Sequence, residues 1–303
     1  MTSPDVLADV LADVFVVVMV LTGLAAGSFI NVVASRLPRM MEAAWRADCM
    51  EIANEGTPSR GPPRFDLVHP PSTCPACGHR ISSLENIPIL SYVMLGGRCS
   101  ACRWRIPARY PTVETFGALV AGAAALHFGF GIAAAGACVL GWGLLAAGTI
   151  DLETRFLPDS ITLPLLWSGL AFNVPGTFAP LGDCVIGAMA GYGVLWAVHH
   201  GFRLVTGREG MGYGDFKLLA ALGAWLGWQA LPAVVLLASL AGATVGIALA
   251  ARGRASSATR LPFGPFLATA GLLMLYCGDT VTYQACEASG SSTMWHGFMT
   301  GTT

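Results

Sequence analysis

The sequence predicts an all-α polytopic membrane protein of about eight transmembrane helices, with a small zinc-ribbon-like insert on the cytoplasmic side. Three observations predict it. Hydrophobic residues make up 54% of the 303 and charged residues only 12%, about half the roughly 25% charge of a soluble domain. Mean hydropathy is +0.61, carried by long apolar runs. The few Lys and Arg residues gather in alternate segments between those runs. So little charge cannot solvate a globular surface, which excludes an ordinary soluble enzyme.

The first apolar stretch, about 14–33, is long enough to cross a hydrocarbon core of roughly 30 Å. Asp5, Asp9 and Asp13 precede it without any Lys or Arg. A cleavable signal opens with a basic region, so this stretch reads as a retained helix. Seven more follow at about 112–128, 131–150, 161–178, 181–201, 214–229, 230–251 and 262–277. With eight spans, one face receives residues 34–111, 151–160, 202–215 and 252–261. All of the 17 Lys and Arg residues except Lys217 fall within those segments, and Lys217 opens the sixth span on the same side. Short cytoplasmic loops carry the positive excess. This face is therefore cytoplasmic and both termini are periplasmic. Seven or nine spans would scatter the positives over both faces.

Four regions follow: a first helix with a short outer N-terminus (1–35), a cytoplasmic Cys-rich insert (36–111), a helical bundle (112–277) and an outer tail (278–303). Inside the insert, Cys74-Pro75-Ala76-Cys77 and Cys99-Ser100-Ala101-Cys102 are separated by 21 residues. Each CxxC turn offers two thiolates, and four thiolates at tetrahedral positions make a closed, structural zinc site. The usual spacer is about 15–20 residues, so this one is slightly long. Paired disulfides fit poorly with a reducing cytosol; a redox CxxC is the competing reading. Cys49, Cys138, Cys184, Cys277 and Cys286 show no ligand spacing, and the last two share the outer side, where a disulfide between them is allowed.

Two aspartates meet the same membrane face. Asp151 ends the third span and Asp215 opens the sixth, the latter inside Gly212-Tyr213-Gly214-Asp215. Two carboxylates held close share one proton. The ionised one then accepts a proton from water while the protonated one polarises a carbonyl. Gly212 and Gly214 leave room for a substrate backbone beside Asp215. In a purely structural role, these aspartates would cap helices or pair with Arg155 and Lys217. The glycine flanks and the common face favour chemistry. Asp159, Glu153 and Glu209 lie in the same loops, Asp159 as an N-cap.

The ordered motifs resemble those of the type IV prepilin leader peptidase/N-methyltransferases, GxGD aspartic peptidases. The matching residues are Gly27 to Val33, Arg36-Leu37-Pro38, Cys74-Pro75-Ala76-Cys77-Gly78-His79, Glu85 to Tyr92, Gly97-Arg98-Cys99, Arg109 to Glu114, Asp151 to Asp159, Gly212 to Asp215 and Phe263-Gly264-Pro265-Phe266. The resemblance spans roughly residues 20–270 and implies a catalytic pair, Asp151 and Asp215. It also implies cleavage of basic leaders after Gly from type IV prepilins and pseudopilins of pilus or type II secretion systems, at the bacterial inner membrane. The new N-terminus would then be methylated from S-adenosylmethionine, an activity associated with the Cys-rich insert. Glu114 is a candidate for binding the substrate amine, or else a counter-charge to Arg109. Glu85, Glu114, Glu153, Asp159 and Glu209 are candidates for gripping a basic leader. Membrane lipid is the other expected partner, and no nucleic acid is expected.

Other features read as architecture. Gly187 and Gly191 have the spacing of close intramolecular helix packing. Trp225 and Trp228 suggest an aromatic belt at the outer interface, and His199 and His200 suggest polar anchors at the inner one. A transporter or channel with a zinc-ribbon regulator is the rival class. It predicts ionisable residues at the bilayer midplane, whereas here the span centres lack them. A GxGD peptidase without methyltransferase activity would lack the large insert.

Overall fold

Helix propensity carries the first element well past its apolar stretch. A computed structural model of the protein describes residues 4–53, 65–207, 211–253 and 261–288, and in it α1 runs Pro4–Ala53, through Pro38. Its last turns are rich in Met, Ala, Glu and Arg, all strong helix formers, and Glu42 pairs with Arg46 one turn on. The expected boundary at residue 36 therefore falls inside a continuous helix. After the insert come α2 (Leu90–Met94), α3 (Arg109–Phe128), α4 (Ile132–Thr154), α5 (Asp159–Phe172), α6 (Leu181–Thr206), α7 (Tyr213–Leu226), α8 (Leu231–Ala251) and α9 (Gly264–Ala288). No β-strand occurs among the described residues beyond two isolated bridges.

Among the described residues, four helical segments are long and apolar enough to cross a membrane: Asp9–Met50, Ile132–Thr154, Leu181–Thr206 and Trp228–Ala251, with Gly264–Gly278 a shorter apolar helix. Val17, Leu21, Leu119, Val198, Leu240 and Ile247 all point outward. So many exposed large apolar side chains on long apolar helices suit lipid as the surrounding medium. The chain is a mostly helical, polytopic membrane protein. Glu209, the side chains of Cys286, Asp279 and Glu287, and residues 289–303 lie outside the described residues.

The chain forms two compact units, Met1–Leu165 and Leu166–Thr303. In the first, α3 packs against α1 and α4. The α1–α3 seam is backbone on backbone: a Cβ at Gly27 would stand 2.6 Å from the Glu114 Cα. Ile30, Val113 and Ala146 form a cluster there, covered by Trp142, Leu145 and Ile161. In the second unit α6 lies against α7. A Cβ at Gly187 would meet the Gly223 carbonyl oxygen at 2.5 Å, and one at Gly191 the Leu219 carbonyl oxygen at 2.7 Å. The GxxxG spacing thus serves packing within the chain. Gly187→Ala should lower the thermal midpoint of the detergent-purified protein, since overpacking costs about 1–3 kcal/mol. An unchanged midpoint would show that the two helices separate freely.

Trp225 corrects the aromatic-belt expectation. It is 0% exposed, stacked on Phe172 with ring centroids 5.2 Å apart and tilted on Phe178 at 5.7 Å. Gly169 passes so close that a side chain there would meet the indole. Asn173, fully buried, donates to the Ala224 and Trp225 carbonyls and accepts from the Phe178 and Ala179 amides. Every polar group of that amide is used, as burial demands. Trp228 keeps an exposed position, and its indole donates to Asp183 at 3.3 Å.

Candidate active site and cysteine knuckles

The two CxxC segments fold into matching turns. In the first, the Gly78 amide donates to the Cys74 carbonyl at 2.9 Å and the Cys74 amide to the His79 carbonyl at 2.8 Å. In the second, the Arg103 amide donates to the Cys99 carbonyl at 3.0 Å and the Cys99 amide to the Trp104 carbonyl at 2.8 Å. Both turns need a left-handed residue just after the second cysteine, supplied by Gly78 (φ 72°) and Arg103 (φ 60°). The bridges Thr73–Arg80 and Arg98–Arg105 close them.

These turns bring four sulfurs together. The Sγ atoms of Cys74, Cys77, Cys99 and Cys102 all lie within 4.8 Å of one another, and those of Cys74 and Cys102 are 3.8 Å apart. Zinc–thiolate bonds of about 2.3 Å make the edge of a tetrahedron about 3.8 Å, so the donor set fits zinc. Backbone amides prepare the thiolates. The Ala76 amide draws the Cys74 thiol down to about 7, and the Cys102 and Ala101 amides lower Cys99. Against the His79 amide, which lowers it, the Cys102 sulfur and burial push Cys77 up to about 12. Four adjacent sulfurs do not all ionise without a cation among them.

Glu85 ties the two turns together. The Ser100 hydroxyl and the Ser82 amide hold its carboxyl down at about 2, the amide at 2.8 Å. His79 Nε2 lies 3.4 Å from Glu85 Oε2 and 3.3 Å from Ser100 Oγ. Arg36, on the part of α1 beyond its apolar stretch, donates to the Asp66 and Pro70 carbonyls at 3.0 and 2.7 Å. The insert is thereby fastened to α1.

A second fastening runs through Glu114, which is 8% exposed on α3. Its Oε2 accepts the Ile89 amide at 2.8 Å, and Ser28 also bonds the carboxylate. Ile89 sits at φ 58°, an expensive conformation for a β-branched residue. Asn31 adds a clamp, donating to the Tyr110 and Gly27 carbonyls. Arg109 is not the counter-charge of Glu114. It pairs with Glu153 and stacks on Tyr110 at 4.8 Å, and no Lys, Arg or His among the described residues pairs with Glu114.

Asp151 is 5% exposed and Asp215 is 8% exposed. Asp151 lies in the last turns of α4, where its carbonyl accepts the amide of Arg155, the left-handed cap at φ 56°. Asp215 lies in the first turn of α7, its amide donating to the Gly212 carbonyl at 3.3 Å. Asp151 belongs to the first unit and Asp215 to the second. A Cβ built on Gly212 would meet nothing nearer than Asp215 Oδ2 at 4.0 Å, so the backbone beside that carboxylate is bare. Gly214 is the second residue of α7. Asp159 opens α5 and is exposed.

Sequence reading missed His199. Expected as an interfacial anchor, it is 3% exposed and rests against Tyr213 and Phe216, at 5.4 and 5.6 Å between ring centroids. The signal was in the spacing: Gly187, Gly191, Leu195 and His199 recur every fourth residue along the buried face of α6.

Fold and site define a polytopic helical membrane protein with a four-cysteine insert and buried Asp and Glu side chains at helix ends. The model of the Type IV leader peptidase family matches residues 138–247, and that of the bacterial Peptidase A24 N-terminal domain matches residues 21–128. A prepilin leader peptidase/N-methyltransferase of Aeromonas hydrophila is 50% identical over 262 residues, 86% of this chain and 90% of that one. One of Pseudomonas aeruginosa is 50% identical over 272 residues, 89% and 93% of the two chains. One of Burkholderia pseudomallei is 54% identical over 261 residues, 86% and 84%. No solved structure matches. The chain belongs to the type IV leader peptidase family.

Proposed function

We propose that this protein is a dual-activity enzyme of the bacterial inner membrane. It removes the basic leader of type IV prepilins and pseudopilins after Gly at the cytoplasmic face, then N-methylates the new terminal residue. Near-full-length identity of about half to relatives named for both activities carries the reading. Eight spans would place residues 36–111 in the cytoplasm and both termini in the periplasm, with the peptidase bundle at 112–277.

Asp151 and Asp215 are the catalytic carboxylates in this reading. The dipole of α7 favours negative charge at its N-terminus, so Asp215 is the ionised partner and Asp151 holds the shared proton. The Asp215 carboxylate takes a proton from water as the oxygen attacks the backbone carbonyl carbon of the leader's terminal Gly. The Asp151 carboxyl hydrogen-bonds the carbonyl oxygen as it gains charge. The C–N bond then breaks and the departing amine takes up the proton that Asp215 accepted from water, which restores the pair. The bare backbone at Gly212 and Gly214 admits an extended substrate strand.

S-adenosylmethionine supplies the methyl group when bound. Glu114, a buried carboxylate facing the insert without a cationic partner, fits the ammonium of the cleaved substrate, and it would orient that amine. Of the acids expected to grip a basic leader, Glu85 is committed within the knuckles and Glu153 to Arg109. Zinc held by Cys74, Cys77, Cys99 and Cys102 is structural, since four thiolates leave no open position for a water.

The test is to incubate purified full-length protein in detergent with a prepilin, with and without S-adenosylmethionine, and to weigh the product. The expected result is leader loss in both cases and one added methyl only with the donor. An uncut prepilin would overturn the peptidase reading, and a cut but unmethylated one the second activity.

A further inference from the structure

His199 stands out among the buried polar groups because neither ring nitrogen, Nδ1 nor Nε2, has a hydrogen-bond partner among the described residues. A neutral imidazole carries one donor and one acceptor, and leaving either unmet in a buried site is costly. Native structures satisfy nearly all such groups, so an exception calls for a partner that arrives from outside. Polar side chains inside membrane helices are functional candidates for the same reason.

Its position says what that partner is. The close-packed glycines on α6 lock that helix to α7, and His199 lies two turns further along the same stripe. It therefore rests on Tyr213 and Phe216, the residues that flank Gly214 and Asp215. Tyr192 meets Phe216 edge-on at 5.9 Å, and Tyr213 meets Phe216 at 5.3 Å, so the imidazole is set in an aromatic cluster. His200 and Tyr213 lie beside it, with ring centroids 5.2 and 5.4 Å away, and neither hydrogen-bonds the imidazole. A chain entering beside Asp215 brings polar groups there, since a peptide unit presents one N–H and one C=O. Those match the acceptor and donor of the ring.

We propose that His199 binds the polypeptide backbone of the substrate beside Asp215, as a positioning residue of the peptidase site. The inference rests on the reading of Asp215 as catalytic. His199 touches no water or scissile atom in this scheme; it sets where the strand lies.

The test uses full-length enzyme and a prepilin. His199→Phe fits the aromatic cluster and removes both nitrogens. It should raise KM for cleavage about tenfold, the weight of one or two hydrogen bonds, with kcat within about twofold. Its thermal midpoint should be equal or higher, because unsatisfied buried groups have been removed. His199→Gln, which keeps a donor and an acceptor, should recover part of the lost KM. Methylation of a pre-cleaved pilin should be unchanged in both. Wild-type KM in His199→Phe overturns the inference, as does a fall in kcat alone, or a drop in stability that takes methylation with it. If Asp215→Asn still cleaves, the catalytic reading fails instead, and that outcome is distinct from any His199 result.

Discussion

Asp151→Asn and Asp215→Asn should each reduce leader cleavage by about a thousandfold or more, the scale of general acid–base catalysis by a positioned carboxylate. Asparagine fills the same volume and keeps hydrogen-bonding capacity, so two nearly buried positions are not emptied. It cannot ionise or hold the proton that the pair must share. KM should stay within a few-fold, because the loss is of transition-state stabilisation rather than of strand binding. The double variant should be no worse than either single one, since residues acting as a unit are non-additive. Both variants should still methylate a pilin whose leader was removed beforehand. The new amine exists only after the peptide bond breaks, so full-length prepilin should remain unmethylated in the same tubes. Processing at the normal rate by either variant would remove that aspartate from the catalytic pair. Loss of methylation on pre-cleaved pilin by a folded variant would mean that the two reactions share one site.

How far these residues could be read in advance depended on how local their determinants are. The CxxC knuckles were legible because four covalent positions and two tight turns fix their geometry within short stretches. The helices were legible from apolar runs, and so was the packing role of Gly187 and Gly191. The end of the first helix was not, because stretch 39–53 carries charges among its apolar residues, and a Glu42–Arg46 pair and the contact of Trp45 with Phe156 accompany its helix propensity. Nor was the burial of Trp225 and His199, since both are amphipathic and either side of a helix can hold them. Their place was settled by Gly169, Phe172 and Phe178 on one side and Tyr213 and Phe216 on the other. The pairing of Arg109 with Glu153 instead of Glu114 is a choice between neighbours that sequence distance cannot make.

Removing the zinc proposed for the knuckles should produce the largest structural effect, and it should be confined to the insert. Among residues 65–108 only Cys74, Gly97 and Cys99 are buried. No hydrophobic core exists there to hold the chain once the four sulfurs are released. Binding of structural zinc is worth about 10–16 kcal/mol in small finger-like units, and that energy is folding energy. The Arg36 and Glu114 fastenings contribute about 1 kcal/mol each, too little to replace it. The purified protein should therefore contain about one zinc equivalent. Chelation, or Cys→Ser at Cys74, Cys77, Cys99 or Cys102 alone, should open residues 65–108 to protease. Far-ultraviolet circular dichroism should barely change, because the helices outside the insert carry almost all the helical signal. Limited proteolysis with mass mapping of the fragments, read beside metal analysis, measures both. If a variant with all four cysteines changed to serine kept its zinc and a protease-resistant insert, the metal would lie elsewhere and the knuckles would have to be held by the fastenings to α1 and α3.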